Sequence, residues 1–309
     1  MSTESTLVGP PGVRPLTERE FTLFRDYIEK EAGILLTPVK KALLVARLSG
    51  RMRQLAMPSF TAYYDYLQEE GAEEERVRML DCICTNETHF FREPHHFRFI
   101  EDRVAAELRA QADAGQRSKR VRVWSAACSS GEEPYSLAMT LLELFPPSSG
   151  WEVEVLATDL STKVLARARE ATWPMEKTRD IPMHLLKAYC LKGTGAQEGR
   201  FKMGPLLRET VRFARLNLNE PSWPVNGPFD LVFCRNALIY FGQARKAEVV
   251  TRLLSYLAPT GYFFLGHAES LAGMQQPARA VMPTIYAPLA SPGGAVAPVR
   301  AAARAAGGR

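Results

Sequence analysis

From residue 17 to residue 84, apolar side chains recur every three or four positions, the spacing of one helix face. Thr17 with Glu20 forms a capping box, and Phe21, Phe24, Tyr27 and Ile28 follow at helical spacing. Gly33 stops this helix. Thr37 and Pro38 are expected to cap and open a second, with proline at its favoured first position. Ser59 caps a third, carrying Tyr63 and Leu67, and EEERVRMLDCI is a fourth. The pattern predicts an all-α domain over residues 16–84.

The pattern then changes. Phe97, Ile100, Val104 and Leu108 mark another amphipathic helix, broken by residues 115–120. After it, short apolar runs alternate with helical stretches: VRVWSA, PYSLAMTLLELF, EVEVLATD, STKVLARARE, FDLVFC, ARKAEVVTRLLSYL and GYFFLG. Such alternation predicts an α/β fold, a mainly parallel sheet with helices on both faces. LKGTGAQEGRFKMG carries hairpin-like turn residues, so a small antiparallel insertion is expected at about residues 190–216. Residues 1–15 are rich in Ser, Thr, Gly and Pro, residues 291–309 have no large apolar side chain beyond valine, and both are expected to be disordered.

Composition narrows the class. No apolar run approaches the roughly 20 residues of a membrane span, and the first residues show no charged-then-apolar signal pattern. A cytoplasmic protein, not membrane-inserted, is expected. The five cysteines are scattered apart from Cys82 and Cys84 and read as reduced thiols. A net charge of +5 suits an acidic partner without implying nucleic acid, and none is expected. Cys82, Cys84, His89, His95 and His96 lack the paired spacing of a metal site, so no metal is expected; His95 and His96 begin a helix and pack or cap there.

The candidate chemistry sits where strands end, since ligands of open parallel sheets bind at the carboxyl ends of the strands. WSAACSSGEEPYS follows the first strand. It has Gly131 but neither G-x-G-x-x-G nor G-K-[ST], so it is not a phosphate cradle. Glu132 and Glu133 stand at the helix start, where they offset its positive end and disfavour a polyanion. The site suits a cation or a ligand rich in hydroxyls and amines. EVEVLATD ends in Asp159, where an acid accepts hydrogen bonds from ribose hydroxyls. A nucleoside with positive charge and no phosphate describes S-adenosyl-L-methionine. Each acid alone reads equally well as a capping residue; the combination on successive strand ends is the signal. Cys128 lies in the same turn, where the glutamates oppose thiolate formation, and His267 is expected to order the turn after GYFFLG.

TNETHFFREPHHF, VWSAACSSGEEPYSLAMTLLE, FDLVFCRNALIYF and GYFFLGHAES resemble, in order and spacing, the CheR-type chemotaxis receptor glutamate O-methyltransferases. The resemblance covers about residues 16–287. It implies a Rossmann-like class I S-adenosyl-L-methionine-dependent methyltransferase domain at 97–290 with a small antiparallel β insertion. An all-α N-terminal receptor-recognition domain precedes it, and a linker at 85–96 contributes to the cofactor site.

Carried onto matching positions, the resemblance implies cofactor contacts from Asn86, Thr88 and Arg92 of the linker, Glu133 and Asp159, Asn217 and Leu218 beside the adenine, and Arg235 and Asn236. Arg92 and Tyr240 match the residues lining the transferred methyl; without the resemblance Tyr240 reads as core packing at a strand-to-helix turn. Glu87 and His89 depart from the more apolar or small residues of that motif, and neither they nor Cys128 are expected to abolish binding. The implied reaction turns glutamate side chains on cytoplasmic chemoreceptor helices into methyl esters and leaves S-adenosyl-L-homocysteine. Glutamate, with a pKa of roughly 4.3, is already an anion at neutral pH, so no general base is needed.

Lys40, Arg47 and Arg51 fall within an arc of about 40° on a helix, beside an apolar stripe of Leu44, Leu48, Met52 and Leu55. Such a row is either a solvated face or, as the resemblance implies, a surface for a glutamate-rich receptor helix. The insertion resembles a β-subdomain that in some relatives captures a receptor C-terminal peptide by strand addition. A monomer is expected. A small-molecule carboxyl methyltransferase and a non-catalytic receptor-binding adaptor are the alternatives.

Overall fold

A computed structural model describes residues 14–289. The expected termini at 1–15 and 291–309 fall almost wholly outside the described residues. The chain opens with four helices, α1 (Glu18–Ala32), α2 (Lys41–Gln54), α3 (Phe60–Gln68) and α4 (Glu73–Ile83). The Thr17–Glu20 capping box forms, Ser59 caps α3, and Gly33 ends α1 in the left-handed region at φ 71°. Thr37 differs from expectation. Pro38–Lys40 is a single 3-10 turn, Thr37 makes no side-chain capping bond, and α2 starts at Lys41. Phe24, Ile28, Leu44, Leu48, Met52, Tyr63 and Met79 fill the core of this domain.

The linker leads into α5 (Pro94–Phe99), a π-helical turn at Ile100–Val104, and α6 (Ala105–Asp113). The large sheet follows with β1 (Arg120–Ser125), α7 (Glu132–Leu144), β2 (Glu152–Asp159) and α8 (Thr162–Glu170). The insertion holds β3 (Thr172–Pro174), α9 (Met183–Tyr189), β4 (Cys190–Lys192) and β5 (Arg200–Met203). Then come α10 (Pro205–Thr210), β6 (Val211–Arg215), β7 (Phe229–Cys234), α11 (Gln243–Ser255), β8 (Leu257–Leu265), β9 (Ala278–Met282) and β10 (Ile285–Pro288).

The large sheet runs β6-β2-β1-β7-β8-β10-β9. Its first five strands are parallel, and β10 and β9 close the edge antiparallel. Two of its features differ from expectation. The antiparallel strands of the insertion begin at Thr172, earlier than about 190, in the order β3-β5-β4. Val211–Arg215, expected inside the insertion, pairs in parallel with β2.

Period-two alternation explains the layers. Val121, Val123, Leu231, Phe233 and Phe264 face one core. Trp124, Val232, Cys234, Phe263 and Leu265 face the other. Phe233 and Phe264 stack across β7 and β8 with ring centroids 4.1 Å apart. A helical layer covers each face, so the strand ends are the open side of the sheet.

Candidate active site

The turn after β1 is shaped by backbone demands. Ser129 and Gly131 have positive φ, 48° and 99°. A side chain on Gly131 would also meet the Ala168 Cβ at 3.0 Å, so the position has two reasons to be glycine. Cys128 N–H donates to the Thr158 carbonyl at 2.9 Å, and Ser129 N–H to Asp159 Oδ2 at 2.8 Å. Ser161 N–H donates to the other Asp159 oxygen at 2.9 Å. The turn is thereby tied to the end of β2.

The two glutamates part company. Glu132 is fully buried and does not line the cleft, with Lys177 Nζ at 2.5 Å and a bond from Ser130 Oγ. Read from the sequence as an acid offsetting the helix start, it is a neutralised structural acid, because Lys177 arrives from the insertion 45 residues on. Glu133 faces the cavity. It accepts from Ser125 Oγ at 2.7 Å and pairs with Arg235, Nε to Oε2 3.2 Å. Burial raises its pKa, with Arg235 and Ser125 opposing. Burial also raises that of Asp159, against the bonds from Ser161 and Ser129. Both carboxylates therefore favour a cationic or hydrogen-bond-donating ligand over an anion.

One cleft, about 960 Å³ of empty space with its mouth included, gathers Asn86, Thr88, Arg92, Glu133, Asp159, Asn217, Leu218, Arg235, Asn236 and Tyr240. The N-terminal domain roofs it with Ala32, Ile34, Ile83 and Cys84, and the linker adds Thr85. The linker crosses the strand ends: Phe91 N–H donates to Ser136 Oγ at 3.0 Å, and Ser129 Oγ to the Asn86 carbonyl at 3.0 Å. Among the described residues, Arg92 donates only to the Glu87 carbonyl, at 3.3 Å. Leu35 N–H donates to the Tyr240 carbonyl at 2.8 Å, and Ile34 and Phe241 form an isolated antiparallel bridge. Lys40 Nζ lies 5.5 Å from the Tyr240 ring centroid.

Residues 86–287 match the family described as CheR methyltransferase, SAM binding domain, and residues 19–84 match CheR methyltransferase, all-alpha domain. The chain belongs to the CheR methyltransferase family. Chemotaxis protein methyltransferase 2 of Pseudomonas aeruginosa is 37% identical over 276 residues, 88% of this chain and 94% of that protein. Chemotaxis protein methyltransferase of Escherichia coli is 36% identical over 273 residues, 88% and 91%. Among solved structures, the glycopeptide N-methyltransferase MtfA complexed with (S)-adenosyl-L-methionine shares 19% identity over 57% of this chain and 55% of that one. Its TM-score of 0.30 is too low to bear on the fold. Membership makes the protein an S-adenosyl-L-methionine-dependent methyltransferase, with a Rossmann-like catalytic domain after an all-α one.

Within this CheR-type cleft some expected residues serve other ends. Asn217 spends its side chain on the interdomain contact: Nδ2 donates to the Glu31 carbonyl at 2.7 Å and Oδ1 accepts from Asn219 N–H at 2.9 Å. Asn219 Nδ2 donates to the Lys30 carbonyl at 2.7 Å, so the pair caps the orphan carbonyls of α1. The basic row on α2 is not assembled as an outward ridge. Arg51 turns in to Glu75 (2.5 Å), which also accepts from Tyr63 Oη at 2.7 Å. Arg47 donates to the Cys84 carbonyl at 2.7 Å and helps fix the start of the linker. Only Lys40 of the three stands at Tyr240.

Sequence reading missed Glu269. Its buried carboxylate accepts from Asn236 N–H (2.8 Å), Gly266 N–H (2.7 Å) and Ile239 N–H (3.2 Å). It holds the turn carrying Asn236, at φ 57°, against the end of β8. Gly266 permits the approach, since a Cβ there would lie 2.7 Å from Asn236 N. Glu269, and not His267, orders this turn; His267 is exposed and its N–H donates to Glu93 Oε1 at 2.9 Å. The signal was present only as an acid two residues after it in GHAES. Glu93, His95 and His96 converge within 4.8 Å, but Arg235 Nη1 lies 3.3 Å from His96 Nδ1, a poor neighbour for a metal cation. The Cys128 thiol is pushed well up, by burial first and then by Asp159 and Glu133.

Proposed function

We propose that this methyltransferase is a protein-glutamate O-methyltransferase that esterifies glutamate side chains on cytoplasmic chemoreceptor helices and so adapts receptor signalling. One observation supports it above others: a single cleft has buried carboxylates at its strand ends and Arg92 and Tyr240 in its lining. Among the described residues no carboxylate lies in ion-pair reach of Arg92, which leaves its guanidinium for a carboxylate brought from outside.

The donor set fits S-adenosyl-L-methionine. Glu133 suits its ammonium group and Asp159 its ribose hydroxyls, since burial makes the charge of each costly without a partner. We assign Leu218 and the backbone at Asn217 to the adenine; Asn86, Thr88, Arg235 and Asn236 line the same cleft. Bound there, the cofactor supplies an electrophilic methyl on a sulfonium.

The chain's own residues have three tasks. Arg92 offers a planar fork to orient an incoming carboxylate. Tyr240, held through its backbone by Leu35, lines the same cleft. The roof of Ala32, Ile34 and Ile83 excludes water from the cleft. No residue need act as a base, because the nucleophile arrives ionised. The main contribution is orientation, which can reach about 7–11 kcal/mol for well-aligned groups.

Lys40 at Tyr240, with Leu35, Val39 and Ile239 exposed around it, suits the acidic, partly apolar surface of a receptor helix. β4 is an edge of the small sheet, and a receptor C-terminal peptide could add there as a strand. We place the protein in the cytoplasm as a monomer; no described helix is long and apolar enough to cross a membrane. The test is transfer of labelled methyl from S-adenosyl-L-methionine to a receptor cytoplasmic fragment. Label released by mild base as methanol is expected. Label reaching only small carboxylic acids, or no protein at all, would overturn the reading.

A further inference from the structure

We infer that His96 is a positioning residue: as a neutral imidazole protonated on Nε2, it fixes the Arg235 guanidinium that sets Glu133 in the cofactor cleft. The inference rests on the proposed role of Glu133 toward S-adenosyl-L-methionine, but the tautomer can be tested apart from it.

The protonation pattern follows from hydrogen-bond chemistry. His96 is fully buried. Its Nδ1 lies 3.3 Å from Arg235 Nη1. A guanidinium only donates, so Nδ1 must present its lone pair. The proton of a neutral ring then sits on Nε2, which lies 2.8 Å from Thr284 Oγ1. That hydroxyl has its own acceptor in the Pro283 carbonyl at 2.6 Å, so it receives from His96 without conflict. The direction of donation is consistent from Arg235 through His96 to Thr284 and Pro283.

The surroundings keep the ring neutral. Burial lowers its pKa to about 2, and Arg235 and His95 act in the same sense. A proton on Nδ1 would point at the guanidinium. The acid facing the ring is Glu93, whose Oε2, buried without a hydrogen-bond partner, lies 3.6 Å from Nδ1, beyond a hydrogen bond. His95 Nε2 shares Thr284 Oγ1 at 3.3 Å.

The consequence is geometric. The Arg235 side chain is 2% exposed, has an imidazole acceptor at Nη1, and lies in ion-pair contact with Glu133, Nε to Oε2 3.2 Å, without a hydrogen bond at Nε. The imidazole is the acceptor that orients the guanidinium plane beside Glu133, which Ser125 also holds in the cleft. Without the acceptor, Arg235 is free to turn its fork fully onto Glu133 and compete for the oxygens the cofactor's ammonium needs.

Two experiments test this. Nitrogen-15 spectra of histidine-labelled wild-type protein should show His96 as the neutral Nε2–H form at pH 7 and still neutral at pH 5. An Nδ1–H or doubly protonated His96 at pH 7 overturns the inference outright. Separately, calorimetry should find cofactor affinity lowered tenfold or more in His96→Leu, with receptor turnover at saturating cofactor within threefold of wild type. His96→Asn, which keeps an acceptor toward Arg235, should recover most of the affinity. Folded His96→Leu with affinity within twofold of wild type, or His96→Asn no better than His96→Leu, contradicts it. A wild-type protein with no affinity for the cofactor, yet showing the Nε2–H form, would instead sink the cofactor reading and leave the tautomer standing.

Discussion

Replacing Glu269 with alanine should damage both stability and cofactor binding. The carboxylate is 3% exposed and accepts three backbone N–H groups, from Asn236, Gly266 and Ile239. Each buried donor left without an acceptor costs about 1–3 kcal/mol. The sum is not the full effect, because burying the carboxylate was itself unfavourable and water can enter the vacated space. A net loss of about 3 kcal/mol is expected, a large share of the roughly 5–15 kcal/mol of a typical fold. Glu269→Gln keeps an oxygen acceptor but turns an amide NH2 toward backbone donors, and should lose about half as much. Asn236 stands at positive φ and needs this tether, so cofactor affinity should fall about tenfold in the alanine variant, or about 1.4 kcal/mol. Urea denaturation followed by circular dichroism gives the first quantity and calorimetry the second. A Glu269→Ala protein within 0.5 kcal/mol of wild type in unfolding free energy, as an approximate bound, would refute the reasoning.

Three further outcomes are expected. Arg92→Ala should keep its fold and lose most receptor methylation, on the order of 100-fold, since it removes the proposed orienting fork without opening the core; wild-type turnover would sink that role. Burial pushes the Glu20 carboxyl up, but bonds from Thr17 and Thr61 outweigh it and hold the pKa at about 2. This depressed value contributes about 3 kcal/mol above pH 4.5, lost as pH falls toward 2; Glu20→Gln should flatten the acid limb of the N-terminal domain's stability profile. Arg51→Ala strands Glu75 beside Tyr63 and should cost about 3 kcal/mol, at the lower end for a buried pair because Arg51 remains 17% exposed; an unchanged urea midpoint would count against it.

Much of the fold was legible because local and global signals agree. EEERVRMLDCI and EVEVLATD form α4 and β2 from their first residue to their last. β6 was not legible: its exposed Arg212, Ala214 and Arg215 give an edge strand no apolar run to detect. In the site, residues whose roles follow from strand-end position came together, Glu133 and Asp159 among them. What sequence order could not show was partnership at a distance. Lys177 neutralises Glu132, Glu75 takes Arg51 from the surface, and Glu269 reaches back to Asn236. Each acid looked like an ordinary charge until the fold supplied its partner.

Glu133 and Asp159 are proposed to hold S-adenosyl-L-methionine in this cleft, and calorimetric titration of the purified protein decides it. Saturable one-to-one binding is expected, strongly weakened in Glu133→Gln and Asp159→Asn. A folded wild-type protein that takes up no cofactor, or variants that bind as wild type does, would contradict the account.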